Sequence, residues 1–162
     1  MDLTLFRFFN SFYNLAPPIW PWLTTGLATV AFAALTVLVA VWAKQAKWLV
    51  AALLAVVLTD VTTARGLKPA FARERPCVTL EEVRGGKDCG SGESMPSAHA
   101  ANTMAVAAVI GSPTLAAVSL LVGVGRVVGG QHWPSDVGVG WGYGLFVGMV
   151  VRRAFQKVLR WG

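Results

Sequence analysis

The sequence predicts an all-α protein: a membrane-embedded helical bundle of about five transmembrane helices, preceded by an amphipathic helix. Hydrophobic residues make up 55% of the 162 residues and charged residues only 14%, whereas a soluble domain averages about 25% charged residues. Uncharged apolar segments recur along the chain, and a membrane span needs about 20 such residues. The length fits one domain over residues 1–162.

The N-terminal segment, residues 3–15, has apolar side chains at spacings near the helical period. This pattern predicts an amphipathic helix that lies in the membrane interface. The alternative is a sixth transmembrane span built from residues 3–16, but the segment is short and carries Arg7.

The five predicted spans cover residues 20–42, 46–66, 96–110, 113–128 and 134–157. A Gly-Ser-Pro sequence at 111–113 separates the third from the fourth, and this is a strong turn signal. The last span carries Gly140, Gly144 and Gly148 at a spacing suited to close helix packing. We expect these glycines to pack within the bundle, with a dimer face as the alternative.

Charge placement predicts the orientation in a bacterial plasma membrane. Basic residues follow the first and the last predicted span, and such residues favour the cytoplasmic side. The polar stretch 68–95 and the starts of the third and fifth spans then face the outside. The same bias accounts for the net charge of +6. Nucleic-acid binding is disfavoured because no basic stripe runs along a solvent-facing polar segment.

The two cysteines, Cys77 and Cys89, both fall in the predicted outer loop. Outside the cytoplasm a disulfide is favoured, and free thiols are the alternative. Two cysteines without a nearby histidine make a poor zinc site, so no metal is expected.

Several residues predicted to lie on the outer face could bind a phosphate group. Arg75 and Arg126 can each make bidentate contacts, and Lys68 adds a point charge. Ser97 supplies a hydroxyl. Pro96 suits the first turn of a helix, so the amide of Ala98 can point at an anion together with the helix dipole.

The two histidines are the candidate catalytic residues. An uncharged His132 can attack phosphorus if an acceptor holds its other nitrogen, and Asp136 is the candidate acceptor. His99 is the candidate acid for the leaving oxygen and then the base for water. Asp60 is interpreted as a packing residue, and the alternative is that it orients a catalytic base.

The order and spacing of these residues resemble the three-part signature of the type 2 phosphatidic acid phosphatase (PAP2) superfamily. The resemblance runs from Lys68-x6-Arg75-Pro76, through Pro96-Ser97-Ala98-His99, to Arg126-x5-His132-x3-Asp136. It implies that His132 becomes a phosphohistidine, that His99 acts as the acid, and that no metal or other cofactor is needed. Two positions depart from the family pattern: Ala98 replaces a glycine and Gly125 replaces a serine.

The resemblance also implies a lipid phosphate substrate and contact with membrane lipid. The short chain is similar to small bacterial members of the family, which favours hydrolysis of undecaprenyl diphosphate to undecaprenyl phosphate. Phosphatidylglycerophosphate, phosphatidic acid and lipid A 1-phosphate are alternative substrates. The family's vanadium haloperoxidases are soluble, and this composition argues against them. A non-catalytic lipid-binding or transport protein would not need both histidines and Asp136. The sequence does not determine the oligomeric state.

Overall fold

The computed structural model describes residues 2–15, 26–85, 89–90 and 92–161. Within these residues it contains eight α-helices and no β-strand, which confirms the all-α class. The helices are α1 Asp2–Ser11, α2 Gly26–Trp42, α3 Leu49–Thr62, α4 Lys68–Phe71, α5 Pro76–Thr79, α6 Ala98–Ile110, α7 Pro113–Val128 and α8 Pro134–Trp161.

Helix α6 lies at the centre of the bundle. Its small side chains let the neighbouring helices pack close to its backbone. Ala100, Ala101, Ala105 and Val109 are all fully buried. The glycine stripe of α8 packs directly on this helix. A Cβ atom added at Gly144 would lie 2.1 Å from the carbonyl oxygen of Ala101. The predicted packing of the glycines within the bundle is therefore confirmed.

The second predicted span extends beyond its predicted end. A 3₁₀ turn at Ala46–Trp48 leads into α3, and a π-helical turn at Thr63–Leu67 connects α3 to α4. Pro69 has no backbone N–H to donate to the preceding turn, and the wider π turn before it accommodates the missing hydrogen bond. Lys68 therefore starts a helix rather than a loop.

Two regions that the charge pattern assigned to one side of the membrane meet at the same end of the bundle. The rings of Trp48 and Phe155 lie 5.3 Å apart, and the Arg152 guanidinium lies 4.9 Å from the Trp48 ring. Arg152 also donates a hydrogen bond to the carbonyl of Val109 near the end of α6. The start of α3 and the end of α8 are therefore neighbours.

Among the described residues, one stretch, Ala46–Thr79, in which helical segments follow one another, is long and apolar enough to cross a membrane. The helices Val30–Trp42, Ala98–Ile110 and Pro113–Val128 are apolar but shorter. Residues 20–25 of the first predicted span lie outside the described residues. The count of five spans therefore stays a prediction.

The predicted N-terminal helix is present as α1, followed by a 3₁₀ turn at Phe12–Leu15. It packs on the bundle through Phe6, which is 1% exposed and whose ring lies 5.3 Å from that of Trp133. The buried Asn10 side chain donates to the carbonyls of Arg84 and Val128 and accepts from the Arg84 amide. Helix α1 is thus fixed to the end of α7 and to the loop after α5.

The loop after α5 is irregular where the structure describes it. A disulfide joins Cys77 on α5 to Cys89, with the two Sγ atoms 1.98 Å apart. The bridge ties the middle of the loop to α5.

Candidate active site

Arg75 is the residue around which the site is built. It lies just before α5, and only 6% of it is exposed. Its Nε donates to the carbonyl of Gly92 over 3.1 Å, and Nη1 donates to the carbonyl of Gln131 over the same distance. These bonds hold the loop before α6 against the loop between α7 and α8.

Lys68 and Arg75 converge on one acceptor, the backbone carbonyl of Glu93. Lys68 donates to it through Nζ, and Arg75 donates through Nη2 over 3.4 Å. The two cations therefore lie side by side, which concentrates positive charge as an anion site requires.

His132 is 2% exposed and sits in the turn that joins α7 to α8. Its backbone amide and that of Gln131 both donate to the carbonyl of Arg126, which fixes the turn. Its Nε2 lies 3.3 Å from Nη1 of Arg75. Since a guanidinium can only donate, Nε2 must be the unprotonated nitrogen and Nδ1 carries the proton.

The protonated Nδ1 faces Asp136, with 3.6 Å between Nδ1 and Oδ2. This separation is longer than a normal hydrogen bond, so Nδ1 is in contact with the carboxylate but not yet hydrogen-bonded to it. Helix α8 begins at Pro134, as predicted, and this start places Asp136 in the first turn beside His132.

Burial lowers the pKa of His132 from 6.5 to about 4. Asp136 opposes this shift, and the positive charges of Arg126 and Arg75 add to it. The imidazole is therefore neutral at physiological pH, and a neutral imidazole is the form that can act as a nucleophile.

Asp136 is fully buried and accepts hydrogen bonds from three groups besides its contact with His132. Arg73 Nη1 donates to Oδ1 over 2.7 Å. The Ser94 hydroxyl and the Trp133 amide donate to Oδ2, the latter over 2.8 Å. The carboxylate is thus held in one orientation, since both of its oxygens are bonded.

Ser97 and Ala98 form the start of α6. The Ser97 amide donates to the carbonyl of Asp136 over 3.0 Å, which joins this helix start to that of α8. The Ser97 hydroxyl is completely buried and has no hydrogen-bond partner among the described residues. Leaving a buried hydroxyl unpaired costs about 1–3 kcal/mol, so a ligand that pairs with it would be stabilised.

His99 and Arg126 complete the set predicted from the sequence. Arg126 is 6% exposed and lies in the last turn of α7, where its charge acts on His132. The partly buried His99 lines a cavity of about 590 Å³ together with Ala98. His132 is not among the residues that line this cavity.

Three side chains that support the site lie outside the predicted catalytic and phosphate-binding residues: Asp2, Arg73 and Ser94. The Arg73 guanidinium bridges Asp136 to Asp2 of α1, with 2.5 Å between Nη2 and the Asp2 Oδ2. It also lies 5.1 Å from the Trp133 ring. Asp2 in turn accepts from the amide and the hydroxyl of Ser135. The basic character of residues 68–75 was the one available signal for Arg73.

No set of three or more histidine, cysteine, aspartate or glutamate residues is grouped as metal ligands in the part of the chain that the structure describes. The donors of the site are cationic or hydroxyl groups, and these suit an anion.

Comparison with known proteins finds a matching sequence family and proteins of similar sequence and fold. The sequence profile described as the PAP2 superfamily matches residues 45–160. Decaprenylphosphoryl-5-phosphoribose phosphatases from two strains of Mycobacterium tuberculosis are each 33% identical over 112 residues, which is 67% of this chain. The aligned part spans 61% of the length of these curated relatives. The crystal structure of Aquifex aeolicus LpxE matches with a TM-score of 0.72 and 25% identity, covering 93% of this chain and 94% of that one.

Proposed function

Because the chain belongs to the PAP2 superfamily, we propose that it is a phosphatase that removes phosphate from a membrane lipid through a phosphohistidine at His132. The observation that carries the proposal is the orientation of this histidine. Its unprotonated Nε2 faces the guanidinium of Arg75, and its Nδ1 faces Asp136. The nucleophilic atom thus points to where the cations would hold a phosphate.

The phosphate would lie among Lys68, Arg75 and Arg126, with the unpaired Ser97 hydroxyl and the Ala98 amide as further donors. The methyl group of Ala98 leaves its backbone amide intact, so this departure from the family pattern keeps the donor. Gly125 is buried in α7 one residue before Arg126, and the hydroxyl that the family usually has there is missing.

The reaction balances in two steps. The Nε2 atom of His132 forms a bond to phosphorus while the bond to the lipid oxygen breaks, and protonated His99 gives its proton to that oxygen. Asp136 stabilises the imidazolium that results. Neutral His99 then takes a proton from water, whose oxygen attacks phosphorus. Inorganic phosphate leaves, and His132 is neutral again.

The cavity beside His99 supports a lipid substrate. Its walls are mainly apolar side chains of α2, α3, α6 and α7, including Phe32, Leu53, Val106 and Val122. An aliphatic chain in this cavity would contact apolar side chains, which replace its contacts with the tails of membrane lipids. A lipid whose tail occupies the cavity would therefore present its head group to His99.

Two substrates are supported by different observations. The sequence favours undecaprenyl diphosphate, and the relatives named decaprenylphosphoryl-5-phosphoribose phosphatase favour a polyprenyl-linked sugar phosphate. Both have long isoprenoid chains that the apolar cavity could accept. Phosphatidylglycerophosphate, phosphatidic acid and lipid A 1-phosphate remain alternatives.

The proposed location is the bacterial inner membrane, with the site on the outer face. The support is the charge pattern. The basic residues just after α2 and in the C-terminal part of α8 belong to the end of the bundle away from His132. They are Lys44, Lys47, Arg152, Arg153, Lys157 and Arg160.

The test is phosphate release by the purified protein in detergent with EDTA, on the five substrates above. We expect turnover of at least one lipid, and a fall of about 10⁴-fold in His132→Ala. The control is Glu81→Ala, which removes an exposed carboxylate from the loop after α5. Wild-type turnover by His132→Ala would refute the mechanism. Lipid binding without phosphate release by the wild type would favour a non-catalytic protein.

A further inference from the structure

Asp60 supplies the one carboxylate among the described residues that line the cavity beside His99, and most of the other lining side chains are apolar. Asp60 is in the last turn of α3, and the residues that line the cavity include both of these side chains. Among the described residues that line it there is no lysine or arginine. The carboxylate is exposed and therefore accessible to a ligand.

The carboxylate of Asp60 is held in place relative to His99. Asn102 donates from Nδ2 to Asp60 Oδ1 over 3.1 Å. The Oδ1 atom of Asn102 accepts from the hydroxyl of Thr59, which is completely buried, over 2.6 Å. Asn102 lies three residues after His99 on α6, and residues at this spacing share a helix face. Asp60 is thus anchored one helical turn from the proposed acid.

The position of His99 determines which part of the substrate reaches Asp60. If His99 protonates the leaving oxygen, as the proposed function requires, the carbon atom bonded to that oxygen and the carbons next to it lie at the mouth of the cavity. A carboxylate can only accept hydrogen bonds, so it suits a hydroxyl group on these carbons. A second phosphate at this point would place more negative charge beside the carboxylate, and no lysine or arginine among the described residues that line the cavity would offset the repulsion.

We infer that Asp60 selects phosphate monoesters whose alcohol carries a hydroxyl group next to the ester carbon, on a long apolar chain, and disfavours lipid diphosphates. This inference rests on the proposed function and chooses between its candidate substrates. A glycerol 3-phosphate with a free 2-hydroxyl meets the requirement, and the polyprenyl diphosphate does not. Asp60 then contacts the substrate, in addition to its packing contacts, and it does not serve to orient His99.

The test compares substrates that differ at one hydroxyl. We would measure kcat/KM of the full chain in detergent on 1-oleoylglycerol 3-phosphate, on its 2-deoxy analogue and on a long-chain prenyl diphosphate. A hydrogen bond to a charged group contributes about 1.5–3 kcal/mol. The wild type should therefore prefer the hydroxylated substrate over the deoxy analogue by about 10-fold or more.

Two variants test the source of this preference. Asp60→Ala should bring the ratio of the two kcat/KM values close to one. Asp60→Asn keeps the shape and removes the charge, so it should lower the ratio and raise turnover of the diphosphate relative to the monoester. It also keeps the inference testable if the alanine variant does not fold. The matched control, Glu81→Ala, should keep the wild-type ratio because this carboxylate lies outside the cavity.

Three results would overturn the inference. The first is a wild-type ratio near one. The second is a decrease in kcat/KM by the same factor for all substrates in both Asp60 variants. This would mean that Asp60 acts through His99 or through the stability of the fold. The third is a wild-type preference for the diphosphate. A wild type that releases phosphate from none of the lipids contradicts the proposed function itself, so the two failures are distinguishable.

Discussion

Asp136 accepts hydrogen bonds from three groups besides its contact with His132. Arg73 is the one of these whose role can be tested most directly. Arg73 donates to Asp136 with Nη1 and to Asp2 with Nη2. It lies on the far side of the carboxylate from His132, so it acts on the nucleophile through Asp136. We regard it as a positioning residue.

Replacing Arg73 tests this role. In Arg73→Ala we expect kcat to fall by about 10- to 100-fold with a much smaller change in KM, because a substrate contact is not removed. Arg73→Lys should recover only part of the rate, since an ammonium lacks the planar fork that spans two carboxylates. The measurement is steady-state kinetics, with Arg65→Ala, an exposed arginine, as the control. A rise in KM at constant kcat would instead place Arg73 on the substrate.

The low pKa of His132 predicts a pH dependence of stability. The folded state keeps His132 neutral down to about pH 4, whereas the unfolded chain takes up a proton near pH 6.5. The unfolded state therefore binds more protons between these values, and stability falls as the pH falls through this window.

Thermal unfolding in detergent between pH 7 and pH 4 measures this contribution against His132→Gln. The wild type should lose more stability on acidification than the variant does. Parallel curves for the two proteins would mean that His132 does not stay neutral in the folded state.

At the scale of helices, the contact between α6 and α8 sets the position of the catalytic groups. Ser97, Ala98 and His99 begin α6, and Asp136 lies in the first turn of α8. Gly140 is close to this junction: a Cβ atom added there would lie 2.6 Å from the carbonyl oxygen of Ser97. The absence of side chains on the α8 stripe therefore lets the two helix starts meet.

Two glycines of α8 provide a matched test of this packing. In Gly144→Ala the new methyl group would overlap the backbone of α6, and overpacking of this kind costs about 1–3 kcal/mol. Gly142 has no atom within 4 Å of an added Cβ, so Gly142→Ala should be neutral or slightly stabilising. The measurement is the melting temperature of each variant in detergent. Equal melting temperatures would contradict the role of the stripe.

Helix starts and short residue spacings could be predicted from the sequence, whereas contacts between distant parts of the chain could not. The caps and breaks of the helices, such as Pro113 and Pro134, are local signals, and both helices begin where the sequence predicts. Residues with fixed spacing, such as His132 and Asp136, could also be found locally. Arg73 and Ser94 reach Asp136 across 63 and 42 residues of sequence. Such contacts depend on tertiary packing, so no local pattern predicts them.

The same distinction applies to α1. Its amphipathic spacing was consistent with a helix in the membrane interface, yet Asp2 contacts Ser135, 133 residues away. The periodicity predicts an apolar face but not the surface that this face covers. In the structure that surface is the bundle around Trp133.

For the whole molecule, the predicted orientation can be tested with the native cysteines. Cys77 and Cys89 are the only two, and they lie in the loop at the active-site end. After reduction with a membrane-impermeant phosphine, an impermeant maleimide should label them in intact spheroplasts. A variant with both cysteines replaced by serine and with Lys44→Cys should be labelled only after permeabilisation. The reverse pattern would place the site in the cytoplasm.

The central claim is that His132 carries the phosphoryl group during turnover. The most direct measurement is a rapid alkaline quench of the enzyme with ³²P-labelled lipid phosphate, followed by mass spectrometry of the modified peptide. A phosphoryl group should form on His132 and decay at the rate of turnover, and it should be absent from His132→Ala. Turnover with the label on another residue, or with no covalent label at any time, would contradict it.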